Sequence, residues 1–224
     1  MSDAADVRGV ERALAAGAAG VRAVAARLDA ATPAEGRLRA DGDALTPGRL
    51  ECVADAAVAD AGGADPGTRV ETRDGTLRPG APVVVALEPT VEGVPGPWSR
   101  TFVVDGAGGW ERRAAVAVEM AHDAVVRAAE PGVPARRVVD EAVAELGAYG
   151  LGTAEVPVAW SVGEGPAFPS ETPLAAGETF ALAPAAVDPG GDRGRVRIGT
   201  CYVVTESGVR ALGDLPTSLS PGAY

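Results

Sequence analysis

The sequence predicts an α+β fold, on three observations. Helical apolar spacing marks one pair of helices at the start of the chain and a second pair in its middle. Short apolar runs bounded by glycine and proline mark strands after each pair. No shift in composition interrupts the 224 residues. One domain over 1–214 is therefore the economical reading, with 215–224 expected as a flexible tail.

The first helix is expected from about Asp3 to Asp29, where Val7, Val10, Leu14, Val21, Val24 and Leu28 form one stripe. A loop with Pro33, Gly36 and Gly42 follows. Thr46 is suited to cap a second helix over about 47–61, with Pro47 at its first turn and Gly62-Gly63 at its end. Pro82 to Leu87 (PVVVAL) is a buried strand, Glu92-Gly93 a hairpin turn, and Trp98 to Val104 a second strand. Helices are expected from Trp110 to Ala129 and from Pro134 to Ala148, separated by Pro131-Gly132. Strands follow over 156–162, 179–187, 195–205 and 208–212, with an acidic glycine-rich loop over 188–194.

Charge and composition narrow the function. The net charge is −11, and all 20 cations are arginine. Such a surface suits a salt-rich cytosol, where carboxylates hold water after salt has screened other fields. Arginine-for-lysine bias in a GC-rich coding sequence accounts for the same pattern. A nucleic-acid groove needs a basic stripe, which is missing, so no nucleic-acid partner is expected. The Arg112-Arg113 and Arg136-Arg137 pairs, and the alternating Arg193, Arg195 and Arg197, read as solvated faces and strand exteriors. No apolar run is long enough for a membrane span, and the opening residues lack the pattern of a signal peptide, so a cytoplasmic protein is expected. Cys52 and Cys201 belong to no CxxC and read as buried, inert thiols.

Three stretches resemble one family. LRPGAPVVVALEPTVEGVPGPWSRTF (77–102) is similar to the M24 metallopeptidase pattern LxPGDxVLIDxGxxxxGYxxDxTRTF. LAAGETFALAP (174–184) is similar to LxPGMVFTIEP, and VRIGTCYVVTESG (196–208) to VRIEDTVLVTEDG. The family includes methionine aminopeptidase, aminopeptidase P, prolidase and creatinase. The resemblance implies the pita-bread fold, a curved antiparallel sheet covered by helices. It also implies a site where two divalent cations, held by four carboxylates and a histidine, polarise a water for attack on a peptide carbonyl.

Carried over position by position, the two Asp fall at Ala86 and Pro97, the His at Trp160, and the two Glu at Ala183 and Gly199. Ala, Pro and Gly side chains have no donor atom, and an indole N–H only donates. The resemblance thus implies a homologue without metal ligands, metal or other cofactor. It would act as a pseudoenzyme that binds a peptide or protein in the old cleft. Glu88, Trp98, Arg100, Glu164, Phe168 and Arg197 are the candidate cleft-lining residues. Two alternatives stay open. One is an aminopeptidase or Xaa-Pro dipeptidase whose ligands have moved to Glu88 and Glu164. The other is a structural subunit forming a homodimer or pairing with an active relative. The single histidine, His122, lies off its helix's apolar stripe and is expected on the surface, which leaves no base for metal-free hydrolysis.

Overall fold

The structure is a computed structural model that describes residues 4–190 and 193–224. The expected helix start at Asp3 and part of the 188–194 loop lie outside the described residues. Helix α1 (Ala4–Asp29) leads through three short strands, β1 (Thr32–Ala34), β2 (Arg37–Ala40) and β3 (Asp43–Ala44), into α2 (Pro47–Asp60). Next come β4 (Arg69–Glu71), β5 (Val83–Leu87), the hairpin β6 (Thr90–Val91) and β7 (Val94–Pro95), and β8 (Trp98–Phe102). The second helical pair is α3 (Trp110–Ala128) and α4 (Arg136–Ala148). The chain then forms β9 (Gly152–Thr153), β10 (Ala159–Ser161), β11 (Thr179–Leu182), β12 (Ala185–Val187), β13 (Arg195–Arg197), β14 (Thr200–Thr205) and β15 (Gly208–Ala211).

Local chemistry explains the punctuation. Arg49 N donates to Thr46 Oγ1 at 3.3 Å, the expected cap of α2. Glu92 and Gly93 both take positive φ, 53° and 81°, which lets a two-residue turn match the strand twist in the β6–β7 hairpin. The loop expected after α1 is instead the β1–β2–β3 sheet, and β4 was not foreseen. These strands have two to four residues, too few to show a period of two.

Every strand pair is antiparallel. The site depends on three sheets, ordered β4-β5-β8, β10-β11-β14-β15 and β13-β12-β9. Two hydrogen bonds join the first to the β13–β14 bend: Gly199 N to Ser99 O at 2.9 Å and Ser99 N to Gly199 O at 3.3 Å. One core cluster packs α1 and α2 on β5 and β8 through Val21, Leu28, Leu50, Val83 and Phe102. The other packs α3 and α4 on the later strands through Ala117, Ala121, Leu146, Phe180 and Ile198. Small side chains permit close approach: a methyl on Gly17 of α1 would meet Trp98 Cδ1 at 2.7 Å. That closeness lets the Trp98 indole donate to Leu14 O at 2.8 Å and tie α1 to β8.

Two sequence expectations are corrected here. Residues 215–224 are docked rather than loose. Leu215 and Pro221 are buried, Val103 N donates to Leu219 O at 2.8 Å, and the Tyr224 ring stands edge-on to Phe102 at 5.0 Å. Polar composition concealed this, because backbone carbonyls and one aromatic ring make the contacts. Cys52 is exposed, on the outer face of α2, whereas Cys201 is buried and its thiol is pushed up by desolvation.

Candidate functional site

A cavity of about 650 Å³ opens between β4, β5, β8 and the β10 region. Ala86 on β5 stands in register with Ser99 on β8 and Arg69 on β4. Ala86, Pro97 and Trp160 all line the cavity, as do Glu88, Trp98 and Arg197. Ala183 and Gly199 lie buried against Ser99, which is itself part of the wall. The five positions singled out from the sequence are therefore gathered at one place, around Ser99 and the cavity it borders.

The packing at that place is tight. A Cβ on Gly199 would come within 2.4 Å of Ser99 Oγ and 2.5 Å of Ala183 Cβ, closer than real contacts allow. Ser99 Oγ is buried and has no hydrogen-bond partner among the described residues. Among the described residues, no three His, Cys, Asp or Glu side chains come together as a metal-holding group. The donor chemistry here does not fit a pair of divalent cations: the residues around Ser99 offer methyls, a ring and an unpartnered hydroxyl where hard cations need several oxygens.

Three candidate lining residues are elsewhere. Arg100 is 2% exposed and faces the protein interior. Its Nε donates to Pro216 O at 2.7 Å, Nη1 to Ser99 O at 2.8 Å and Gly199 O at 2.7 Å, and Nη2 to Leu215 O at 3.0 Å. The guanidinium also lies 4.6 Å over the Trp98 ring. Burial lowers it to about 10, so it stays charged at neutral pH. It is a staple between β8, the β13–β14 bend and the C-terminal segment. Phe168 packs on Phe180, with centroids 5.5 Å apart, in the second core cluster. Glu164 is solvent-exposed and does not line the cavity; its loop is closed by Ser161 Oγ donating to Pro166 O at 2.6 Å.

His122 also departs from expectation. It is 9% exposed and sits between α3 and the later strands. Nε2 lies 3.0 Å from Ile198 O, a group that only accepts, so Nε2 carries the proton and the Tyr202 hydroxyl donates to Nδ1 at 2.9 Å. Burial lowers the imidazole to about 4, leaving it neutral, and raises Tyr202 to about 12. The ring braces Ile198, next to both Arg197 and Gly199. An apolar stripe drawn on α3 alone misses this, since the partner strand supplies the polar groups.

Arg197 and Arg195, expected on strand exteriors, are both partly buried. Arg195 pairs with Glu71. Arg197 donates through Nε to Ala183 O at 3.2 Å and through Nη2 to Pro157 O at 3.3 Å, with its guanidinium 5.8 Å from the Trp160 ring. Thr101 Oγ1 accepts from Arg197 N at 2.8 Å and donates to Arg197 O at 2.9 Å, which clamps β13 on β8. Desolvation brings Arg197 down to about 10, still cationic. Glu88 is an exposed residue of the cavity wall, and partial desolvation there raises its carboxyl above the usual value. Sequence reasoning missed the lining residues Asp65, Arg69 and Glu71, which come from β4 and the loop before it.

Paired helices cover antiparallel sheets, with a cavity at the junction of those sheets, which makes the chain an α+β protein built around that cleft. The sequence profile of metallopeptidase family M24 matches residues 8–206, and the chain belongs to that family. Among solved structures, dipeptidase PepE from Mycobacterium ulcerans is 27% identical, with a TM-score of 0.79 over 97% of this chain and 60% of that one. Prolidase from Pyrococcus furiosus is 20% identical, with a TM-score of 0.81 over 96% of this chain and 66% of that one. X-Pro aminopeptidase from Thermotoga maritima is 17% identical, with a TM-score of 0.81 over 96% and 63%. The fold is the pita-bread fold that the sequence resemblance implied. The chain spans about 60% of the length of the dipeptidase and less than two thirds of the aminopeptidase. No curated protein matches it. No helix among the described residues is long and apolar enough to cross a membrane.

Proposed function

We propose that this M24 protein is a metal-free binding module that has kept the family's cleft and given up its hydrolytic chemistry. The observation that carries the reading is the packing at Gly199. Ser99 Oγ and Ala183 Cβ fill the space that any side chain at that position would need. A carboxylate there would have to displace a buried strand contact. Ala86, Pro97, Ala183 and Gly199 supply no ligand atom, and Trp160 supplies only a donor. Without their cations, clustered carboxylates would repel one another, so replacing them relieves that repulsion in a metal-free fold. The remaining cavity is of ligand-binding size, with indole surface and a few charged groups. A peptide or a protein segment is the occupant that the family resemblance suggests, and the site is read as cytoplasmic and independent of nucleic acid.

Hydrolysis assays test the reading. The protein, folded in molar salt and supplied with manganese, is expected to leave dipeptides and Xaa-Pro substrates intact. Turnover that disappears on Glu88→Gln substitution would instead support the relocated-ligand aminopeptidase.

A further inference from the structure

Arginines on this surface habitually meet carboxylates, as Arg12, Arg27, Arg78, Arg136 and Arg137 do. Two opposite charges on the cavity wall break that habit. Glu88 has no cation against its carboxylate among the described residues. Arg197 has two carbonyl oxygens and an indole face, and no carboxylate. Both line the same cavity, and they do not pair with each other. Arg197 has been partly stripped of water without receiving a counter-charge, which is unfavourable in the empty cavity, whereas Glu88 stands exposed on the same wall.

The two groups are prepared for a ligand to different degrees. Two of the Arg197 N–H groups are spent on carbonyls, and the rest remain available to donate. Its backbone is clamped by Thr101 and its head rests on Trp160, so little freedom is lost on binding. A planar guanidinium held in place is the best side chain for a carboxylate. Glu88, exposed on the wall, is an acceptor suited to an ammonium. The other charges on the wall compete less well. Glu71 is engaged by Arg195. Arg69, exposed as Glu88 is, makes none of the carbonyl and ring contacts that hold Arg197 among the described residues. Asp65 lies outside the strands, whereas the Glu88 backbone is anchored by its N–H donating to Pro66 O at 2.7 Å.

We infer that the cavity takes a compact zwitterion, a small amino carboxylate whose carboxylate docks on Arg197 and whose ammonium docks on Glu88, with Trp160 against the spacer between them. The inference rests on the reading of the chain as a metal-free binding protein. A ligand with a single charge leaves the opposite group unpaired and gains correspondingly less. The gap between the two side chains selects the length of the spacer.

Titration calorimetry in molar salt tests this with glycine, β-alanine, γ-aminobutyrate and ε-aminocaproate, and with butyrate and butylamine as single-charge controls. Partly buried pairs survive such screening better than exposed ones. At least one zwitterion is expected to bind saturably, roughly tenfold or more tighter than either control. Glu88→Gln and Arg197→Gln are each expected to weaken it by about tenfold, Arg197→Lys by less, and Arg69→Gln by under about threefold. Glu88 is exposed enough for its variant to fold if the Arg197 variant does not. The inference is overturned if no zwitterion binds, if the controls bind equally well, or if Arg69→Gln rather than Arg197→Gln abolishes binding. A folded, metal-free protein that ignores all four zwitterions overturns this inference alone. Two tightly held manganese ions per chain overturn the metal-free reading beneath it.

Discussion

Ser99 and Arg100 are neighbours on β8, each 2% exposed. Arg100 gives its N–H groups to four carbonyl oxygens and has an indole beneath it. Ser99 Oγ has no hydrogen-bond partner among the described residues. The inward side of the strand and the His122–Tyr202–Ile198 contact behind it form a satisfied polar hub, whereas the cavity side holds a stranded hydroxyl among methyl groups. Buried polar groups are normally paired, so a stranded one marks a place where partners have been lost or are supplied from outside. The hub preserves the fold, and the cavity wall is where the proposed change of function lies.

Breaking the hub should cost most. Arg100→Met leaves four carbonyls without their donor and releases the 215–224 segment, at about 3 kcal/mol or more. Denaturation midpoints and faster carboxypeptidase trimming of the C-terminus report this. Trimming unchanged from the parent protein would contradict the staple role.

The second test uses pH. His122 falls from an ordinary 6.5 to about 4 in the fold. Between those values the unfolded chain holds the proton and the folded protein does not, so stability is full above about pH 6.5 and declines as the pH drops towards about 4. The decline attributable to this residue is roughly 3 kcal/mol. Comparing urea midpoints of the parent protein and His122→Gln across that window isolates it from the carboxylates. Equal slopes would show that the imidazole is not the buried neutral group described here.

On the cavity side the effects should be smaller, and one reverses sign. Gly199→Ala forces a methyl against Ser99 Oγ and Ala183, at about 1–3 kcal/mol. Ser99→Ala removes the stranded hydroxyl and should stabilise by about 1 kcal/mol. The double variant relieves part of the Gly199→Ala clash, so the two changes should not add. A Ser99→Ala protein less stable than its parent would mean the hydroxyl is bonded after all.

Much of this architecture was legible in the sequence. The four helices, the cap at Thr46, the Glu92-Gly93 turn and the order of the main strands follow from periodicity and turn residues. The three motifs mark Ala86, Pro97, Ala183 and Gly199, and the family's order of ligands places Trp160 between the first two motifs. The failures share one cause, which is that polar satisfaction is a tertiary property. Arg100 was expected in the cleft because nothing in WSRTF reveals the carbonyls of 215–216 waiting for it. His122 was expected on the surface because Tyr202 and Ile198 lie some 80 residues away. The 215–224 segment looked loose for the same reason. Glu88, Trp98 and Arg197 line the cavity, but strand alternation alone does not sort them, since Trp98 and Arg100 stand two residues apart on β8 and only Trp98 borders it.

Metal stoichiometry tests the central claim most directly. The protein is folded in molar salt, exposed to manganese, cobalt or zinc, freed of unbound ion, and the metal counted per chain. A cavity walled by Ser99, with Ala183 and Gly199 packed behind it, predicts no retained ion, with Ser99→Ala making no difference. About two tightly held ions per chain would contradict it and return the protein to the catalytic branch of its family.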